Sequence, residues 1–273
     1  MTEFVEIEFK GFRRDFFLNP EQYPFKKGDY AIIQADKGID IGKVYHFHFT
    51  DKIIGEIKES LKIIIRKATN EDITKLQENG KNEEEALNVC RNLAISYKHE
   101  MKILDAEYQF DHNKLSFYFI AEERIDFREM VKDLAAKYKT RIELRQIGAR
   151  DEARRAGGCG ICGIAKCCNT FINEFSPVTT QLAKEQHLTL NPLKLSGVCS
   201  KLKCCLLFEK EFYQEAKGKF PAIETIIKTD KGEGKVEKID IFNEAVFVRF
   251  GDESCDKMSL IDVLNILKRV EHT

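Results

Sequence analysis

KILDAEYQFDHNKLSFYFIAEERIDFREMVKDLAAKYKTRIELRQI, from Lys102 to Ile147, is the stretch on which the fold turns. Ile103 to Phe110 and Leu115 to Ala121 alternate as two strands joined across Asp111–Asn113. Asp126 then caps a helix with Phe127, Met130, Val131, Leu134 and Tyr138 on its inner face. Arg141 to Ile147 alternates again as a last strand. Upstream, Leu61 to Arg66 (LKIIIR) is a short apolar strand. A helical stretch begins at Thr69 or Asn70, is interrupted near Gly80 and restarts at Asn82, with Glu85 three residues on as in a capping box. Its restarted half puts Ala86, Val89, Cys90, Leu93 and Tyr97 on one stripe. The order β-α-β-β-α-β predicts an α+β protein with a ferredoxin-like split βαβ domain over residues 59–150. That scaffold serves many tasks and does not name one.

Working outward, Phe4 to Phe9, Asp29 to Ala35 and Ile41 to Phe49 read as strands of a small β module spanning residues 1–58. The phrase GDYAIIQADKGIDIGKV, from Gly28, returns near the C-terminus as IETIIKTDKGEGKVEKI, from Ile223. In each, an apolar strand runs into an Asp-Lys-Gly turn and a Gly-Lys-Val start of the next strand. Residues 217–273 are therefore expected to form a second small, barrel-like β module with a terminal helix. Two unrelated hairpins sharing one turn chemistry would read the same way.

Between these modules, residues 151–216 form a cysteine-rich, glycine-punctuated metal- or cluster-binding region. Ser176-Pro177 is placed to start a helix, Asn191-Pro192 marks a turn, and Ser200 to Ala216 reads as one helix turning Cys204, Leu207 or Phe208, and Phe212 inward. Seven of the nine cysteines lie here: Cys159, Cys162, Cys167, Cys168, Cys199, Cys204 and Cys205. Two Cys-Cys pairs facing across a thirty-residue gap are hard to explain as packing. Such spacing points to a shared soft metal or to thiol redox chemistry. Zinc takes four ligands in a tetrahedron, and iron–sulfur clusters take four thiolates as a rule. The doubled cysteines favour iron–sulfur or redox sensing, with zinc as the alternative. Neighbours on a helix point about 100° apart, so one cysteine of each pair ligates while the other packs, or both ligate. His187 is a lesser ligand candidate. Cys90, on the apolar stripe, belongs to the core, and Cys255, among Asp252, Glu253 and Asp256 in an exposed turn, is incidental.

The net charge of −1 conceals an excess of five positive charges between Arg141 and Leu206. These either offset the charge of the thiolates or draw an acidic partner such as RNA. No Walker phosphate loop, H-E-x-x-H or G-x-S-x-G motif is present, so an enzyme is not indicated. Without an apolar run near the roughly 20 residues that span a bilayer, and without a signal-peptide layout, the chain is expected in the cytoplasm. There reduced thiols favour metal over a disulfide framework.

RIELRQIGARDEARRAGGCGICG, KCCNTF, TLNPLKLSG and CSKLKCCLLFE together resemble the RicT (YaaT) group of bacterial proteins. These carry the domain named after the C-terminal part of a yeast polymerase suppressor. The resemblance covers roughly Lys58 to Glu211 and is looser toward both ends. It implies a complex with two small helical partners that carries 4Fe–4S clusters and directs mRNA maturation through the membrane-associated ribonuclease Y. It also implies effects on biofilm formation and sporulation. Carried over by motif, Cys162, Cys167, Cys168, Cys199, Cys204 and Cys205 are the cluster ligands or their neighbours. Cys159 departs from some relatives and would make a four-ligand site self-contained. Two competing classes are a zinc-stabilised nucleic-acid-binding module in direct contact with RNA and a thiol redox sensor.

Overall fold

The computed structural model describes residues 4–48, 61–173, 175–230, 232–251 and 254–271. The end of the Ile41–Phe49 run and the 58/59 boundary lie outside the described residues, as do Asp252 and Glu253. The chain divides into two compact units: residues 1–175 with 198–201, and residues 176–197 with 202–273.

In the first unit, strands β1 (Phe4–Glu8), β2 (Arg14–Leu18), β3 (Tyr30–Gln34), β4 (Ile39–His48) and β5 (Ile64–Lys67) form one sheet in the order β2-β1-β4-β3-β5. Its core is Val5, Ile7, Phe17, Ile33, Val44 and Ile64. Helix α1 (Asn70–Ser96) follows, then strands β6 (Lys102–Tyr108) and β7 (Lys114–Ile120), helix α2 (Arg128–Tyr138) and strand β8 (Arg141–Gln146). The last three strands form a separate sheet, β6-β7-β8, antiparallel and then parallel. Ala86, Cys90, Met130 and Leu134 of the helices bury Ile103, Leu115, Phe117 and Phe119 of that sheet.

The expected order of elements is present, but its pairing is not the ferredoxin-like one. β5 leaves the α+β domain and pairs with β3 of the N-terminal sheet, Ile33 opposite Ile64. The reason lies in Ile64, which is 1% exposed and completes the core of that sheet. Burying such a side chain is worth about 1.5–3 kcal/mol. The helical stretch does not break at Gly80 either; α1 runs through it for 27 residues. The capping box sits at the start, where Thr69 accepts from the Asp72 amide and Asp72 accepts from the Thr69 amide. A mid-helix glycine costs about 1 kcal/mol, which the packed face of a long helix outweighs. Asp126 is not the cap of α2: Phe127 holds the N-cap position without a side-chain cap bond, and Asp126, one residue earlier, accepts from the Arg128 amide at 3.2 Å.

After two short helices of the first unit, α3 (Ala149–Arg155) and α4 (Cys167–Thr170), helices α5 (Thr180–Glu185), α6 (Pro192–Leu195) and α7 (Cys205–Phe208) of the second unit gather around Leu182, Ala183, Leu195 and Leu206, and α8 (Lys210–Gly218) follows. Strands β9 (Ile226–Thr229), β10 (Gly232–Asp240), β11 (Ala245–Phe250) and β12 (Ser254–Ser259) form an open antiparallel sheet under helix α9 (Leu260–Glu271). Neither terminal sheet closes into a barrel among the described residues. The repeated Asp-Lys-Gly phrase does make a hairpin turn twice, between β3 and β4 and between β9 and β10. Three local expectations shift. The Ser176-Pro177 start gives way to a helix capped at Thr179. Ser200–Ala216 splits into α7 and α8, leaving Phe208 63% and Phe212 55% exposed while Leu206 is buried. Cys255 lies in β12, opposite Arg249, rather than in a turn.

Candidate thiol site

The first thiol segment is held in place by cations working on the polar face of the β6-β7-β8 sheet. Ile103, Leu115, Phe117 and Phe119 point under the helices; Tyr118 alternates onto the other face, and the bulge between Ile103 and Asp105 turns Asp105 and Glu107 to that face as well. Arg155 ends helix α3 (Ala149–Arg155) and stacks its guanidinium 3.6 Å from the Tyr118 ring centroid. It also donates to Asp105 at 2.6 Å and lies 3.8 Å from Glu107. Lys10 shares Asp105 with it, at 2.9 Å, and pairs with Glu83 at 2.7 Å. Gly11 lets the chain pass beside this network: it has φ +71°, and a Cβ there would lie 2.6 Å from Arg155 Cζ.

From Arg155 the chain enters a tight reversal. Gly157 and Gly158 both have positive φ, and the Gly160 amide donates to the Ile164 carbonyl at 2.8 Å. Gly163 donates back to Gly160 at 3.0 Å, and Cys159 bridges to Ala165. The result is a knuckle that carries Cys159 and Cys162 exposed, with Ile161 and Ile164 also in solvent. Lys166, only 9% exposed, donates from Nζ to the Ala153 carbonyl and closes the base of the knuckle.

The single-turn helix α4 (Cys167–Thr170) follows, with Lys166 as its N-cap. Arg14 grips its C-terminal end, donating to the carbonyls of Thr170 at 2.6 Å and Asn169 at 3.2 Å. The Arg14 side chain is only 4% exposed, pairs with Glu8 at 2.8 Å and stacks on Tyr45 at 3.4 Å. The Tyr45 hydroxyl gives the Thr170 carbonyl a second hydrogen bond, at 3.0 Å. Cations at a helix C-terminus satisfy its orphan carbonyls.

Cys168 is buried and Cys167 half-buried. Burial pushes the Cys168 thiol up, and Cys199 pushes the same way, while Lys166 and Arg154 pull it down. Cys199 returns to this unit through Val198–Lys201, so the structure brings Cys168 and Cys199 into electrostatic range across thirty-one positions. In the second unit the other pair repeats the local form. Lys203 donates to the Leu195 carbonyl at 2.9 Å, Cys204 caps α7 and Cys205 opens it. Each Lys-Cys-Cys triplet thus starts a one-turn helix, with its amides directed at the thiol end.

These seven thiols are the right donors for a soft metal or an iron–sulfur cluster. As arranged, however, no three Cys, His, Asp or Glu side chains converge to hold an ion among the described residues. His187 sits after α5, where burial and the charges of Lys217 and Lys238 lower its pKa. Cys90 is buried in the α1 face and its thiol is pushed up to about 12. Much of the expected basic excess serves structure: Arg155, Arg154 and Lys166 are bound to Asp105, Asp151 and the Ala153 carbonyl. Sequence reasoning did not reach Arg14, Tyr45 or Tyr118, whose roles depend on long-range pairing.

By its sequence the chain is a PSP1-type protein. Residues 62–147 match the PSP1 C-terminal conserved region and residues 177–220 match the third domain of PSP1-like proteins; the chain belongs to this family. It is 38% identical over 250 residues to Stage 0 sporulation protein YaaT of Bacillus subtilis (strain 168), covering 91% of this chain and 90% of that one. An uncharacterized protein of Schizosaccharomyces pombe is 33% identical over 164 residues, 50% of this chain and 22% of its own. Protein PSP1 of Saccharomyces cerevisiae is 57% identical over 47 residues, 17% of this chain and 6% of its own. No solved structure matches the chain.

Proposed function

We propose that this chain is a non-catalytic regulatory subunit with a sporulation-associated role, and that it acts on mRNA processing by a ribonuclease of the ribonuclease Y type. The observation that carries the reading is the 38% identity, over 91% of the chain, to a protein named for stage 0 of sporulation, joined to a thiol segment braced by buried arginines. Names of enzymes do not occur among the relatives above, which supports a non-enzymatic role. The chain works in the cytoplasm with small helical partners; among the described residues no helix is long and apolar enough to cross a membrane.

The cofactor of this reading is a 4Fe–4S cluster. Cys162, Cys167, Cys168, Cys199, Cys204 and Cys205 supply thiolates, and Cys159 adds one more. Binding would gather thiols that now stand apart, so the cluster would act as a structural switch on the segment that presents it. Mapping transcript ends in a deletion strain tests the role. Wild-type chain restores the normal pattern and the Cys162→Ser, Cys168→Ser double variant does not. A deletion that leaves every transcript end unchanged removes the reading.

The knuckle itself favours a second reading. Cys159-x2-Cys162 followed by Gly163 in a reversed hydrogen-bonded turn is the local form of zinc-binding pairs. A zinc-stabilised module binding nucleic acid directly would contain zinc and no sulfide.

A further inference from the structure

We propose that Cys159 and Cys162 form a reversible dithiol–disulfide couple, oxidised by a small disulfide of the glutathione class, and that the disulfide withdraws both thiols from the metal-ligating set. The couple itself goes beyond the cluster reading; only its effect on metal uptake rests on that reading.

The thiol segment is built twice. Residues 158–171 and 195–208 align without a gap at a shift of 37 positions, which carries Cys162 onto Cys199. Gly160, Cys162, Lys166, Cys167, Cys168 and Phe171 all recur at that shift. The backbone repeats with them. Cys159 bridges Ala165 as Ser196 bridges Leu202. The Lys166 amide donates to the Gly158 carbonyl at 3.2 Å, as Lys203 does to Leu195 at 2.9 Å. The Phe171 and Phe208 amides each donate to the first cysteine of their own pair at 3.1 Å. Each copy thus shares three thiols, and Cys159 stands outside the repeat, with Ser196 as its counterpart. A serine closes the same bridge, so the turn needs no sulfur at that position.

What the added sulfur supplies is a neighbour for Cys162. Both of these thiols are exposed, whereas Cys167, Cys199, Cys204 and Cys205 are half-buried and Cys168 is buried. An oxidant therefore meets this pair first. The Cys162 sulfur folds back over Gly160, 3.4 Å from where a Cβ would stand on the residue next to Cys159. Glycines at 158, 160 and 163 leave the backbone free to bring the two Cβ atoms to the roughly 3.8 Å of a disulfide. No Asp or Glu occurs from Ala156 to Phe171, so the segment carries no carboxylate to repel an anionic disulfide. Cys-x2-Cys is also the spacing of exchanging dithiols. One protein thiolate attacks the small disulfide, whose S–S bond breaks and releases one small thiolate. The other protein thiolate then attacks the mixed disulfide and releases the second. Two protein thiols are oxidised, one small disulfide is reduced to two thiols, and the two protons pass to the leaving sulfurs.

The test incubates the metal-free, reduced full chain with oxidised glutathione, traps free thiols with iodoacetamide and reads peptides by mass spectrometry. A Cys159–Cys162 disulfide is expected to accumulate first and to reverse with dithiothreitol. In Cys159→Ser the same treatment leaves Cys162 as a glutathione adduct. A lasting adduct on Cys162 in the wild type, or a link from Cys162 to Cys167, Cys168 or Cys199 instead, overturns the couple. Cadmium, whose thiolate charge-transfer band reports bound sulfur, tests the withdrawal. Oxidised chain should bind it about tenfold more weakly or worse than reduced chain, since losing ligands costs at least as much as losing their supporting hydrogen bonds. Equal binding by both forms overturns the withdrawal. A disulfide that forms in a chain binding neither cadmium nor iron when reduced would fail the cluster reading, and the withdrawal with it, while upholding the couple.

Discussion

The Arg14 guanidinium donates a 2.6 Å hydrogen bond to the Thr170 carbonyl, tying the second strand of the N-terminal sheet to the Cys167–Cys168 turn 156 positions away. With Glu8, Tyr45 and the Asn169 carbonyl it completes a nearly buried bracket. Charge-assisted hydrogen bonds contribute about 1.5–3 kcal/mol each, and Glu8 would lose its partner. Arg14→Ala is therefore expected to cost about 3 kcal/mol and to raise amide exchange across Cys167–Thr170. Arg14→Lys recovers only part, because a point charge cannot reach both carbonyls and Glu8 together. Thermal unfolding and hydrogen exchange read both outcomes; unchanged exchange in the alanine variant would dissolve the bracket.

Asp40 gives a pH signature. Its carboxyl is pushed up to about 6, chiefly by burial and then by Glu107, against the amides of Ile41 and Phe110 and the charge of Arg13. Folded Asp40 holds its proton more tightly than unfolded Asp40, whose pKa is about 3.9. Its contribution is thus fully present below about pH 4 and is lost as pH rises through 6, by about 3 kcal/mol at most. Asp40→Asn should be more stable than wild type at pH 7, and the difference should vanish near pH 4. A difference that stays constant with pH would contradict the assignment.

Two glycines should respond with opposite sign. Gly80 lies inside α1 with nothing within 4 Å of an added Cβ, so Gly80→Ala should stabilise by about 0.5–1 kcal/mol. Gly38 has φ +81°, and its Cβ would fall 1.8 Å from Asp111 Oδ2. Asp111 there accepts from the Ile39 amide at 2.9 Å. Gly38→Ala should destabilise by more than Gly80→Ala stabilises, as denaturant midpoints will show.

The thiols should separate by reactivity. Under native conditions iodoacetamide is expected to label exposed Cys159 and Cys162 and to leave Cys90 untouched until the chain unfolds, as read by mass spectrometry. Labelling of Cys90 at the rate of Cys162 would overturn its place in the core.

Much of this was legible from short-range patterns. The alternations at Phe4, Tyr30, Leu115 and Arg141 are strands within a residue or two of their expected bounds, because period-2 burial leaves a local mark. Which sheet β5 joins is not local: LKIIIR announces a strand, but only the space beside Ile33 selects its partner. Gly80 does not break α1, because propensity is a weak prior against the packed face of a long helix. Phe208 and Phe212 face solvent because the chain breaks at Glu209, and a break resets helical phase. The cysteines are visible as a set, whereas the placement of Cys167 and Cys168 depends on Arg14 and Arg155. Neither arginine carries a periodic signature.

The iron–sulfur role proposed for the seven thiols has a direct test. Iron and acid-labile sulfide, measured on the chain isolated under strict anaerobiosis, test it directly. The account predicts brown protein absorbing near about 400 nm with about four irons and four sulfides per cluster, lost in the Cys162→Ser, Cys168→Ser variant. Colourless protein that contains zinc and no sulfide would contradict it.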